Sequence, residues 1–222
     1  MSEVQLFFDA IRSGDAGAVK ALLDQDSALL SATNQQSQGP VLFAIYNRQN
    51  EIRDLLLSRG AVLELHEAAA SGNLPRVREL VEREPALAKS YSPDGFPVLA
   101  LAAVFGHLEV AKYLHEKGGD LNAVATNGSG YTALTGAVAS GHADVAKWLL
   151  ESGVSPNYSY ANGYTPLLTA AANGHVEILK ALLSHGAELH AKTTDGKNAL
   201  AYAEERGHKE VAAYLQQQGL LR

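Results

Sequence analysis

The chain contains no cysteine, which excludes disulfides, thiolate metal sites, iron–sulfur clusters and a cysteine nucleophile. It has no excess of positive charge either. Its 18 Lys and Arg stand against 24 Asp and Glu, a net charge of −6, and no run of basic residues offsets this. A phosphate backbone or an anionic membrane calls for a basic surface, so neither nucleic acid nor membrane is expected as partner. No apolar run approaches the roughly 18 residues of a membrane-spanning helix. Met1-Ser2-Glu3-Val4 has neither the basic start nor the apolar stretch of a signal peptide, so the expected location is cytoplasmic. What is abundant is small and aliphatic: 36 Ala and 32 Leu among 222 residues, with aromatics at only 7% and charged residues at 19%. That composition fits a soluble, folded, largely helical protein, and the length allows one domain or two.

Internal repetition decides between these. Gly-His occurs at Gly106-His107, Gly141-His142, Gly174-His175 and Gly207-His208, at spacings of 35, 33 and 33, with weaker copies at Gly72-Asn73, Arg48-Gln49 and Gly14-Asp15. Eight residues after each stands a leucine: Leu22, Leu56, Leu80, Leu114, Leu149, Leu182 and Leu215. An Ala-rich stretch such as Leu167 to Asn173 precedes each turn, and apolar residues at helical spacing, such as Ile178, Leu179, Leu182 and Leu183, follow it. The unit is therefore two short antiparallel helices around a Gly turn. Small residues on the first helix let neighbouring units approach, and the larger ones on the second fill the space between them. Twelve residues past the turn comes Gly60, Gly118, Gly153, Gly186 or Gly219, where a helix end favours a left-handed residue.

These residues resemble the ankyrin repeat family. The fullest match runs from Tyr164-Thr165-Pro166-Leu167 through Ala170-Ala171-Ala172-Asn173-Gly174-His175 to Leu182-Leu183 and Gly186-Ala187, strongest overall from about 96 to 219. The resemblance implies an all-α, ankyrin-type solenoid of helix pairs, with short β-hairpin fingers or loops projecting along one side. Seven repeats are expected within a single domain, at about 3–35, 36–61, 62–91, 92–124, 125–159, 160–192 and 193–222. The first and last are caps, more polar through Arg12, Asp15 and Lys20 and through Gln216 to Gln218. Bacterial proteins of the family share the helix endings at Asp26 and Glu84.

Departures from the family pattern are as informative. Its histidine after Thr-Pro-Leu survives only as His66, and its finger aspartate is replaced by Ser92, Asn127, Tyr160 and Thr193. Arg48 and Gly72 are 24 residues apart, so some ten residues of finger are missing at 61–65. Coupling is expected to be weakest there. The first two repeats also echo the third and fourth at an offset of 58, Asp26-Ser27-Ala28-Leu29 with Glu84-Pro85-Ala86-Leu87, as an old duplication would leave them.

The chemical signals have plain explanations. Four of the eight histidines occupy one structural address on successive repeats and read as turn and inter-repeat hydrogen bonding, not as metal ligands. His66-Glu67 lacks the second histidine of a zinc protease helix, and Gly128-Ser129-Gly130 follows no buried strand, as a dinucleotide site requires. Trp148, Tyr113 and Tyr214 form a half-buried column on the second helices. No catalytic residue, cofactor or metal site is expected, and the chain is not expected to be an enzyme.

Two windows, Leu121 to Ala143 and Ser152 to Val176, carry no charged residue. Elsewhere the exposed positions are charged, as at Arg76, Arg78, Glu79 and Glu82. Tyrosines among Ser, Asn and Gly make up a protein-binding surface. The resemblance places the residue after the finger glycine and the pair before the turn glycine on the concave side, outside the core. The candidate partner-binding residues are Tyr46, Phe96, Phe105, Tyr131, Tyr160, Tyr164 and Asn173. The expected function is a monomeric, non-enzymatic module binding a protein or peptide there. The alternatives are small-molecule or glycan binding on the same surface, or a regulatory subunit of an enzyme in trans.

Overall fold

A computed structural model describes residues 2–220. Fourteen short helices among them follow one another as seven pairs. These are α1 (Glu3–Ser13) with α2 (Ala16–Gln25), α3 (Pro40–Tyr46) with α4 (Asn50–Ser58), α5 (Leu65–Ala70) with α6 (Leu74–Arg83), and α7 (Val98–Val104) with α8 (Leu108–Glu116). The series continues with α9 (Ala133–Ser140) and α10 (Ala143–Glu151), α11 (Pro166–Asn173) and α12 (Val176–Ser184), and α13 (Ala199–Glu205) and α14 (Lys209–Gln217). First helices pack on first helices from α1 to α13, and each pair meets the next, which is the expected all-helical stack.

The turn inside each pair explains the Gly-His signature. Gly14, Gly72, Gly106, Gly141, Gly174 and Gly207 all have φ between 73° and 82°, where only glycine is unstrained, and Arg48 adopts the same left-handed turn at φ 59°. The histidine packs its ring against the turn glycine of the preceding pair. His107 covers Gly72, His142 covers Gly106, His175 covers Gly141 and His208 covers Gly174. His107 Nε2 donates to the Ala70 carbonyl (3.1 Å) and His208 Nε2 to the Ala172 carbonyl (3.0 Å). A carbonyl can only accept, so these imidazoles carry their proton on Nε2. Burial holds His107 and His175 below the ordinary imidazole value, which keeps both rings neutral. The histidines are inter-repeat struts.

Helix starts follow the same local logic. Thr132, Thr165 and Asn198 each accept from the backbone N–H three residues on, satisfying one of the orphan donors of a first turn. After Asp26 and Glu84, both extended at φ near −140°, the chain forms matching 3₁₀ turns at Ser27–Ser31 and Pro85–Lys89, which lie at the same 58-residue offset. The fingers are tight turns. Three close with a single antiparallel bridge each, Tyr91 to Pro97, Tyr160 to Tyr164 and Lys192 to Asn198. Ser92 and Thr193, standing where an aspartate was expected, donate instead to Asp94 and Asp195 of their own fingers.

The leucine column is fully or nearly buried at Leu56, Leu80, Leu114, Leu149, Leu182 and Leu215. Leu22 corrects the expectation. It is only half-buried and Leu23 is buried in its place, α2 turning a different edge inward. Trp148 and Tyr214 are half-buried as expected, whereas Tyr113 is buried, with Arg78 and Lys117 over its ring.

The core divides where the finger is missing. One apolar cluster runs from Phe7 to Leu56, joined by Ala70 and Leu101, and the other runs from Leu65 to Leu220. Fingers elsewhere are tied backbone to backbone: Thr126 N–H donates to the Gly95 carbonyl (2.8 Å) and Thr194 N–H to the Asn162 carbonyl (3.0 Å). Thr194 lies two residues before its finger glycine. The corresponding residue before Gly95 is Pro93, which has no N–H to offer. The gap is crossed instead by Gln38 Nε2 donating to Asp94 Oδ2 (2.9 Å), so the junction is not stacked through helices alone.

Below that bridge Glu67 is buried, its carboxylate accepting from the Glu64 N–H (2.8 Å) and facing the first turn of α3. Burial raises its carboxyl from 4.5 to about 7. The folded junction then holds its proton more tightly than the unfolded chain. Its stability therefore falls as pH rises from the ordinary carboxylate range to about 7, and no further above that. Two results are expected together. The first two pairs should exchange their amide hydrogens before the rest, and Glu67→Gln, which can still serve as the third helical residue of a capping box, should slow that opening at neutral pH. Uniform protection across the junction, or a Gln variant that opens as fast as the parent, would refute this.

Candidate functional site

The aromatic candidates fall into two groups. Tyr46 and Phe105 stack on each other, with centroids 5.8 Å apart and planes at 19°, at the ends of α3 and α7. The remaining rings form one continuous ladder across the fingers. Phe96 meets Tyr131 at 6.5 Å, Tyr131 meets Tyr160 at 5.8 Å, Tyr160 meets Tyr164 at 6.2 Å, and Tyr164 meets Tyr202 at 5.4 Å. Successive planes are inclined by 34° to 68°, so the rings do not form one flat platform.

The ladder is built by the repeat. Phe96, Tyr131 and Tyr164 each follow a finger glycine with positive φ, Gly95, Gly130 and Gly163, so one backbone turn delivers each ring to the same side. Tyr160 fills the gap between two of them, and its hydroxyl is hydrogen-bonded to Thr169 of α11. Tyr202 of α13 is the buried end, its hydroxyl 3.2 Å from that of Thr193. Hydrogen bonding to Tyr202, then burial, pushes the Tyr164 phenol up to about 12. Burial likewise raises Tyr160 and, more strongly, Tyr46, whose position near Asp94 adds to the shift. Tyr160 and Tyr164 are therefore held uncharged at neutral pH.

One expectation needs correction. The rings do not stand clear of the core: all six candidate aromatics are half-buried, Tyr46, Phe96 and Phe105 against the N-terminal cluster and Tyr164 against the other. A first-helix row with so many alanines leaves shallow furrows, and a ring hinged on a finger turn settles into one. Asn173 is also engaged, its Nδ2 donating to the Ala139 carbonyl of the preceding pair (3.2 Å). Tyr202 and Thr169, which complete the ladder, were not singled out by the sequence. Tyr202 sits mid-helix, where an aromatic reads as ordinary core.

Electrostatics change sharply along this face. Tyr131, Tyr160 and Tyr164 of the ladder lie within the uncharged windows, while Asp94 stands near its Phe96 end and Asp195, Lys197 and Glu205 near its Tyr202 end. Beside Asp94 lies a cleft of about 550 Å³, lined by Gln36, Gln38, Asp94, Phe96, Asn127 and Ser129. Among the described residues no group of three or more metal-ligating side chains converges, and no helix is long and apolar enough to cross a membrane.

A family model described as ankyrin repeats, in three copies, matches residues 65–160 and 153–220. The chain belongs to the ankyrin repeat family. Ankyrin repeats make protein–protein interaction modules, and the family is generally one of non-enzymatic scaffolds. Among curated proteins the chain is similar to Ankyrin repeat and SAM domain-containing protein 6 of Mus musculus, at 34% identity over 54% of this chain and 11% of that protein. The Rattus norvegicus protein of the same name is 28% identical over the same shares. Alpha-latrocrustotoxin-Lt1a of Latrodectus tredecimguttatus is 30% identical over 47% of this chain and 8% of the toxin. The ankyrin match thus spans about a tenth of the length of these relatives.

Proposed function

We propose that this ankyrin stack is a non-enzymatic, monomeric, cytoplasmic module that binds a protein or peptide on its concave, tyrosine-lined finger side. The observation that carries the reading is the uncharged aromatic ladder from Phe96 to Tyr202. Covering it requires no charge to be desolvated, and half-buried rings are already ordered, so little conformational entropy is lost when a partner docks. The other large cleft, about 480 Å³ at the last finger, is lined by Lys192, Asp195, Lys197, Glu204 and Glu205, a charged lining that supports an extended polar partner over an apolar small molecule.

Because Phe96 and Tyr164 also pack inward, replacing them tests folding as well as binding. Tyr131→Ala together with Ala161→Glu at an exposed finger tip separates the two. After capture and identification of a partner by mass spectrometry, the double variant should bind it about thirtyfold or more weakly, as hot-spot truncation at a docking centre does, with an unchanged thermal melt. Undiminished affinity would remove the finger side as the binding surface.

A further inference from the structure

The ladder's shape and chemistry narrow the partner further. Its rings are tilted against one another by 34° to 68°, so they form an uneven aromatic strip and not one flat platform. Aromatic-lined surfaces dock polyproline II segments, whose order is already present in the free peptide. Such a segment makes no internal hydrogen bonds, so its carbonyls need donors. The hydroxyls of Tyr131 and Tyr158 lie beside the ladder, Tyr158 Oη being 3.7 Å from where a Cβ on Gly130 would stand, and among the described residues neither hydroxyl has a hydrogen bond within the chain. A proline carries no N–H, so it asks for no carboxylate or amide acceptor, and the two windows supply no carboxylate.

The ends differ. At Phe96, itself part of the ladder, a cleft opens between the fingers, and Asp94 is the one charged side chain in its lining. Gln38 and Ser92 hold that carboxylate in place by donating to it. A peptide running along the ladder leaves through this cleft past a fixed negative charge.

We propose that the ladder binds a proline-rich segment in the polyproline II conformation, with a basic residue at the end that passes Asp94. This rests on the reading that a peptide partner lies along the finger tyrosines. The cleft beside Asp94 is then where the peptide leaves the ladder.

The test uses the full chain and labelled hexaproline peptides, uncharged or carrying arginine at either end, titrated by fluorescence anisotropy. One arginine peptide should bind about threefold more tightly than the uncharged one, the range of an exposed charge pair, and Asp94→Asn should abolish that preference. Tyr131→Ala should weaken binding about thirtyfold. Tyr131→Phe, which keeps the ring packing and removes only the hydroxyl, should weaken it about threefold to tenfold. Absence of binding, or equal binding by Tyr131→Ala, overturns the proposal. Panning random dodecapeptides on the parent and on Tyr131→Ala then tells which idea has failed. Ladder-dependent peptides with prolines three apart support the proposal. Ladder-dependent peptides without proline overturn it and leave the module reading standing. If no peptide depends on the ladder, or an oligosaccharide does, both fall.

Discussion

Replacing Leu149 by alanine should destabilise the protein by about 2–5 kcal/mol, seen as a lower midpoint in urea at an unchanged slope. Leu149 lies on α10 with no exposure, and α10 packs against α9 of its own pair and α12 of the next. Truncation removes the transfer energy of three heavy atoms and leaves a cavity that cannot collapse, because the backbone around it is fixed by turns on both sides. In a stack each unit is held by its neighbours, so a central defect weakens two interfaces at once. Leu22 supplies the control. It occupies the same address but is half-exposed at the end of the stack, so Leu22→Ala should cost only about 1 kcal/mol. Equal losses at the two sites would show that the leucine column does not form the shared core described above.

The contrast between these leucines marks how far the sequence alone could be followed. A fixed period reveals every position whose environment recurs: the turn glycines, the histidines behind them, the leucine column and the shortened segment after Gly60. It cannot reveal where the recurrence breaks. Leu22 and Leu23 are the same residue type, and only the packing around α2 decides which one turns inward. Glu67 read as an unused neighbour of His66, because its burial depends on α3 and on a finger that is missing. The aromatic candidates were found by type and address, but whether a ring after a finger glycine points away or lies down is set by lateral contacts. The Tyr160 bond to Thr169 recurs one period on as Thr193 with Tyr202, but with phenol and hydroxyl exchanged, and the ring-on-ring packing of Tyr164 on Tyr202 stands where the preceding unit has Tyr131 and Thr169. Finger-to-finger chemistry is where this chain departs from its own repeat, and it is there that its specificity is expected to reside.

Gly106→Ala should cost about 2–4 kcal/mol, and most of that should depend on a residue 36 positions away. Two terms combine. The backbone at Gly106 has φ 77°, a left-handed conformation that costs an L-residue roughly 1 kcal/mol or more. A methyl group there would also sit 2.5 Å from His142 Nδ1, a distance real carbon atoms do not tolerate, and relieving it means displacing a ring wedged between two pairs, at about 1–3 kcal/mol. Gly207 separates the terms. Its φ is 75°, almost the same, yet nothing lies within 4 Å of its added Cβ, because no histidine covers it. Gly207→Ala should therefore show the backbone cost alone, near 1 kcal/mol. A double-mutant cycle completes the argument: in a His142→Ala background, Gly106→Ala should fall to the Gly207 value, a coupling of about 1–3 kcal/mol. If Gly106→Ala and Gly207→Ala cost the same, the histidine is not held against the glycine. The Gly-His pair would then be two independent local preferences and not one joint between successive repeats.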